Sequence, residues 1–265
     1  MGILAIIAII MAVINPITRN NMGLVSFKLE SLWALILLIL CLGILWLAVP
    51  RFVASLYALY PESVLKQEQD HVPAEVYQKS LNALDNALAW DDNPEYWQDK
   101  SLCYLALVNF ENNSVEQEQL QLSAAQLAIK KGLGISPVDA FSWYRLALVY
   151  KRLNFNDADV TDALRLSLYA GRVEPELALR RLMLAYPYQA VLSAEEQAQW
   201  LKQVAIEWQF TPKWQLPINL VSFVIENPSA KAWVESAFMY DDEQLNLFKQ
   251  AYDRAIKKSI SATVH

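Results

Sequence analysis

Residues 32–49, LWALILLILCLGILWLAV, run for eighteen positions without a charged side chain, and no other stretch restricts the fold of this chain as severely. As a helix the run is about 27 Å long at about 1.5 Å per residue, close to the roughly 30 Å hydrocarbon core of a bilayer. A helix also satisfies its own backbone polar groups there. Trp33 and Trp46 stand near the two ends, where amphipathic rings favour the membrane–water interface, and Pro50 with Arg51 reads as the close of the span. The segment predicts a membrane anchor within residues 1–60.

A second apolar run, residues 2–14, is short for a span and is broken by Asn15 and Pro16. It has neither the basic n-region nor the small-residue cleavage site of a signal peptide. Two readings stay open: a short first span that forms a hairpin with the second, or translation beginning at Met22. The first leaves Arg19 and Lys28 ahead of the 32–49 span and the second leaves Lys28; both favour the cytoplasm for that end and send the bulk of the chain across the membrane.

Charge narrows the partners. Only Arg19, Lys28, Glu30 and Arg51 are charged in the first 51 residues, so the remainder is more acidic than the whole chain's −6. An acidic domain repels phosphate backbones, so no nucleic-acid partner is expected. Hydrophobic residues at 55% fit a chain with a membrane part, and only 6 glycines suit long helices better than a loop-rich β fold. Cys41 and Cys103 lie in apolar or helical patterns and read as small buried hydrophobes. With His71 and His265 as the only histidines, no metal-binding cluster is expected.

A polar connector is expected over residues 61–73, after which helical periodicity takes over and no strand pattern appears. The predicted helices cover about 74–90, 94–109, 115–131, 137–152, 158–170, 175–186, 194–208, 212–226, 229–239 and 242–258. Start signals recur: Ser136 before Pro137, a Ser193/Glu196 capping box, Thr211–Pro212 and Asn227–Pro228. Gly132, Gly134 and Gly171 suit helix ends. The expected fold is all-α.

Within WYRLALVY, residues Trp143, Leu146, Ala147 and Tyr150 fall at i, i+3, i+4 and i+7 and form one stripe of a helix. The layout recurs in PEYWQDKSLCYLAL, where Trp97, Ser101 and Tyr104 stand as Trp143, Ala147 and Tyr150 do. A looser third unit follows in TDALRLSLYAGRVEPELALRRLML, and Pro94, Pro137 and Pro175 are spaced within the range of helical-repeat periods. The stripe resembles the W-x2-L-G-x2-Y pattern of the tetratricopeptide repeat, with Ala147 in place of Gly; the Trp97 unit carries Lys100 where Leu is usual. The resemblance covers residues 74–186 and leaves 187–265 as a C-terminal helical extension.

That resemblance implies a scaffold that binds a protein partner. It places Phe141, Tyr144, Leu148, Lys151 and Arg152 toward the groove of the array. Spacing supports a second stripe through Phe141, Tyr144, Leu148 and Arg152, distinct from the Trp143 face, and two aromatics followed by two cations suit a peptide with an acidic end. An N-terminal span followed by degenerate repeats is also similar to the VpsP-like accessory membrane proteins of bacterial exopolysaccharide operons. This implies an inner-membrane location, a periplasmic domain and a supporting role in polysaccharide assembly.

Chemistry is sparse. GLG at 132–134 has Pro137 where a third glycine belongs and no strand before it, and neither G-x-S-x-G nor H-E-x-x-H occurs. Asp91–Asp92 and Asp241–Asp242 read as helix caps and first-turn charges. Arg180 and Arg181 point about 100° apart on a helix and read as a solvated face or an interhelical ion pair. No enzyme activity and no cofactor are expected. The alternative is a glycan-binding or glycan-processing module whose site is assembled from scattered residues.

Overall fold

The computed structural model describes residues 24–66, 72–110, 113–210 and 216–263, with the side chains of 24–30, 216–219 and 258–263 left aside. The expected first span and the Thr211–Pro212 start signal lie outside these residues. Among the described residues the fold is all-helical, without strands. The α-helices are α1 (Leu24–Leu65), α2 (Ala74–Trp90), α3 (Pro94–Val108), α4 (Val115–Ile135), α5 (Ala140–Arg152), α6 (Asp157–Ala170), α7 (Pro175–Ala185), α8 (Ala194–Phe210), α9 (Leu216–Glu226), α10 (Ala230–Ser236) and α11 (Asp242–Thr263); a 3-10 segment, Tyr186–Val191, follows α7.

The helices pack as consecutive antiparallel-style pairs. The most extensive contacts join α1 to α2, α3 to α4 and α5 to α6; α7 pairs with α8, and α2–α3 and α4–α5 contacts stack one hairpin on the next. Three core clusters follow this arrangement. Ala54, Ala58, Leu81, Leu84, Cys103 and Leu107 close the first hairpin on α3. A central cluster runs from Leu122 and Ile129 through Leu146 and Val149 to Leu164 and Trp200. A third, with Leu182, Trp208, Phe223 and Phe248, joins α7 and α8 to the C-terminal helices.

Local chemistry explains most helix ends. Asn93 caps α3 with Pro94 at the first helical position, Ser114 and Gln117 form a capping box on α4, and Asn156 caps α6. The Ser193/Glu196 box is present: the Glu196 amide donates to Ser193 Oγ at 3.3 Å, and the Ser193 amide to Glu196 Oε2 at 2.7 Å. Arg165 on α6 also pairs with Glu196. The hydrogen bond from Arg165, then those within the capping box, hold the Glu196 carboxyl down to about 2.

Two start signals and one stop signal are corrected. Ser136 is the C-cap of α4, which runs through Gly132 and Gly134 to Ile135; α5 starts at Ala140 under Asp139, whose carboxylate accepts from the Phe141 and Ser142 amides. An Asp side chain that reaches two orphan N–H groups outcompetes the Ser–Pro pair three residues earlier. Asn227 donates its side-chain amide to Phe223 O, so it serves the end of α9 rather than the start of α10. Nor does the first long helix stop at Pro50 and Arg51: α1 continues through Pro50 and Pro61 to Leu65, which takes in the start of the expected connector. An interior proline costs about 3 kcal/mol. Here Ala54, Ala58, Pro61 and Val64 bury one face on the first hairpin, and that packing overrides the penalty.

Glycine marks the same joint in two successive hairpins. Near the end of α4, a Cβ on Gly132 would lie 3.2 Å from Trp97 Cβ and 3.4 Å from Pro94 O, at the start of α3. After α6, a Cβ on Gly171 would lie 2.9 Å from Ala140 Cβ, at the start of α5, and 2.8 Å from Glu174 Cγ. Gly134 has open space instead. Gly171→Ala should therefore destabilise the protein by about 1–3 kcal/mol, because the start of α5 must move. Gly134→Ala, inside a helix and free of neighbours, should stabilise by about 0.5–1 kcal/mol. Urea melts of the detergent-solubilised protein measure both; equal effects at the two positions would refute the close joint.

Candidate functional site

The hairpins repeat one register. Counting from the first helical residues Pro94, Ala140 and Pro175, the equivalent position on α3, α5 and α7 carries Asp99, Arg145 and Arg180. These three form a connected row. Asp99 feels Arg145, and Arg145 feels Asp139, Asp99 and Arg180. Glu62 and Lys66 at the end of α1, themselves paired at 2.5 Å, extend the row past Asp99. The indoles repeat as well: Trp97 Nε1 donates to Asp92 Oδ1 at 2.6 Å, and Trp143 Nε1 to Pro137 O at 2.8 Å, each tying its helix to the chain just before the cap. Trp143 itself is half-buried and packs against the central cluster.

Burial governs the electrostatics of the row. It pushes the Asp99 carboxyl up to about 6, with Glu62 and Glu95 adding to the rise and Arg145 and Lys66 opposing it. Burial likewise lowers Arg145, against the attraction of Asp139 and Asp99. Arg145 Nη1 is buried and makes no hydrogen bond. A buried, unanswered guanidinium donor is costly, and it marks a place where an anionic acceptor would be welcome.

The five groove positions expected from the sequence divide between two settings. Phe141, Tyr144 and Leu148 are half-buried, and Tyr144 and Leu148 pack against the central cluster. Burial raises the Tyr144 hydroxyl's pKa, and Arg180 of α7 counters it, so this ring sits toward the next hairpin. Lys151 is exposed. Arg152 turns to the α3–α4 hairpin, donating to Asn109 Oδ1 at the end of α3 at 3.2 Å and lying 3.7 Å from Glu118 of α4. Arg145 shares the Phe141–Tyr144–Leu148 face at 100° per residue. Sequence reading missed it, although Asp99, Arg145 and Arg180 stand at one distance from their caps.

The other readings resolve as follows. Arg180 is exposed, but Arg181 is fully buried and hydrogen-bonded to carbonyls, neither a solvated face nor an ion pair. Asp92 accepts from Trp97, and Asp241 caps α11 by accepting from the Gln244 amide at 3.1 Å. Cys103 is buried, and burial pushes its thiol up to about 12. Among the described residues no group of three His, Cys, Asp or Glu side chains is placed to hold a metal ion.

The Asp99 shift sets a pH dependence. The ordinary carboxyl value is 3.8 and the folded value about 6, so the folded chain keeps a proton that the unfolded chain releases between them. Asp99's contribution is thus complete below pH ~4 and is lost as pH rises through ~6. For an interior group such a shift is worth about 3 kcal/mol; Asp99 is partly solvated, which reduces it to about 1 kcal/mol. Asp99→Asn should gain about 1 kcal/mol on wild type between pH 3.5 and pH 7.5, measured by denaturation at both pH values. A constant difference between the two proteins would contradict this placement of Asp99.

No family model matches this sequence, and comparison with curated proteins finds no matching relative.

Proposed function

We propose that this chain is a membrane-anchored helical-repeat scaffold, similar to tetratricopeptide arrays, that docks a protein partner in the bacterial envelope. The observation that carries the reading is Arg145. Its buried Nη1 lacks an acceptor, and its face of α5 also bears the half-buried rings of Phe141 and Tyr144, with Arg180 on the neighbouring hairpin. Rings that lose little entropy on burial, beside cations that can grip a carboxylate, are the usual anchors of a peptide groove. The partner segment in this proposal is extended or helical and acidic, and the groove comprises Phe141, Tyr144, Leu148, Lys151 and Arg152 together with Arg145.

One stretch of α1 is long and apolar enough to cross a membrane, and none of it is buried inside the protein. The inner membrane, a periplasmic domain and support of exopolysaccharide assembly belong to the proposal through the positions of Arg19 and Lys28 and through the VpsP-like resemblance.

The test is a photo-crosslinking amino acid in place of Phe141 in the full-length protein in cells. A protein adduct of defined mass should form and should vanish in the Tyr144→Ala, Arg152→Glu double variant while the melting temperature is retained. An adduct that persists in the double variant would refute the groove, and a glycan adduct would favour a glycan-binding module.

A further inference from the structure

The apolar surface of α1 does not end where a bilayer would. The part of α1 that contains the span, Ser31–Leu65, is 35 residues long. That is about 52 Å of helix against a hydrocarbon core of roughly 30 Å. Beyond Pro50 only one face of the helix is used by the protein: Ala54, Ala58, Pro61 and Val64 are buried on the first hairpin. At 100° per residue, Val49, Phe52, Leu56 and Leu59 fall on the opposite face, in line with Leu45 inside the span. All four are open, Phe52 at 63%, Leu56 at 52% and Leu59 at 59% exposed.

The charges keep off that face. Arg51, Ser55 and Glu62 cluster on one flank, and the other flank carries Tyr57 and Tyr60, both exposed. A stripe of aliphatic side chains and Phe52, flanked by tyrosines on one side and by charges on the other, has the cross-section of a helix lying in a membrane interface. An apolar stripe of this kind left in water would be a liability.

We propose that the outer face of α1 beyond Pro50 (Phe52, Leu56 and Leu59) is seated in the acyl–headgroup boundary of the leaflet next to the helical domain, so that the first hairpin rests on the membrane. The inference builds on the reading of α1 as a span. Its occupant is the bilayer because the stripe is continuous with the span's own lipid-facing surface, on a helix longer than the hydrocarbon core is thick. Tilting of α1 takes up part of that excess and turns the stripe toward the lipid. The rest of the domain, where α2 and α3 pack against Ala54 and Ala58, lies on the opposite side of α1, clear of the membrane.

The experiment uses full-length protein in phosphatidylcholine–phosphatidylglycerol vesicles with an environment-sensitive fluorophore on single cysteines. Cys41→Ser removes the cysteine inside the span, and Cys103 is protected by complete burial. Probes replace Leu40, Phe52, Leu56, Leu59 and, as a water-facing reference on α2, Asn86. Brominated lipids should quench Leu40, Phe52, Leu56 and Leu59 several-fold more than Asn86, with blue-shifted emission at the quenched sites. Quenching at Leu40 alone, with Leu56 and Leu59 reading as aqueous, would leave the span intact and overturn the seating. Absence of quenching at Leu40 would overturn the span and the seating together.

Discussion

Replacing Trp200 with alanine should destabilise the protein by about 3–5 kcal/mol and lower the melting temperature by roughly 10 °C. The side chain is 1% exposed and is the largest among the fully buried residues. It belongs to α8 but completes the central cluster, where it shares a small cleft with Thr161 and Leu164 of α6, Ala185 of α7, and Tyr188 and Leu192. Removing it deletes contacts to both hairpins, while the start of α8 keeps its capping box, the pairing with Arg165 and the hydrogen bonds from Gln197 Nε2 to Gln189 O and Leu192 O. In a stacked array, stability is a sum of unit and nearest-neighbour terms, so the loss should concentrate at the joint between the α5–α6 and α7–α8 pairs. Hydrogen exchange should accordingly quicken in α8 well before it does in α2 or α3. Trp200→Phe, which keeps part of the volume, should cost less than half as much. If the alanine variant melted within about 2 °C of wild type, the joint would not depend on Trp200 as this packing requires.

How much of this was legible in the sequence depends on the range of the interaction. Caps that act over three or four residues were readable: Ser193 with Glu196, Asp241 ahead of α11, and the apolar stripe of Leu146 and Ala147, which is buried in the central cluster. The all-helical character followed from the same periodicity. Where a local signal competed with packing, the reading failed. Pro50 reads as a stop because proline removes a helical hydrogen bond, yet the face through Ala54 and Ala58 carries the helix onward. Ser136–Pro137 reads as a start because the pattern is common there, yet Asp139 reaches two amides from a better position. The candidate groove was half legible. Its aromatic stripe has a helical period, whereas the Asp99–Arg145–Arg180 row crosses three helices, and one sequence does not say which hairpin lies beside which.

The buried arginine is the sharpest such case, and replacing it should be nearly as damaging as losing Trp200. Arg181 on α7 is 0% exposed. Its Nε donates to Ser167 Oγ at 3.0 Å, its Nη2 to Ser167 O at 2.6 Å, and its Nη1 to Gly171 O at 2.9 Å and Gln203 Oε1 at 3.3 Å. Ser167 Oγ in turn donates to Ala140 O at 2.7 Å, and Gln203 Nε2 to Arg172 O at 3.0 Å. One guanidinium therefore ties α5, α6, α7 and α8 together at the C-terminal end of α6, where helix carbonyls favour a cation. Burial holds its pKa down to about 10 despite the attraction of Glu174, so the charge sits there at a desolvation cost that the carbonyls must offset. Arg181→Met keeps much of the volume but strips partners from Gly171 O, Gln203 and Ser167. At about 1–3 kcal/mol for each buried polar group left unsatisfied, the expected loss is about 3–5 kcal/mol. Arg181→Lys, with a point charge in place of a planar fork, should recover less than half. Equilibrium urea unfolding of the two variants in detergent provides the measurement. A methionine variant within about 1 kcal/mol of wild type would mean that apolar packing replaces the network without loss, as it does for some buried ion clusters, and that the four helices are not held through Arg181.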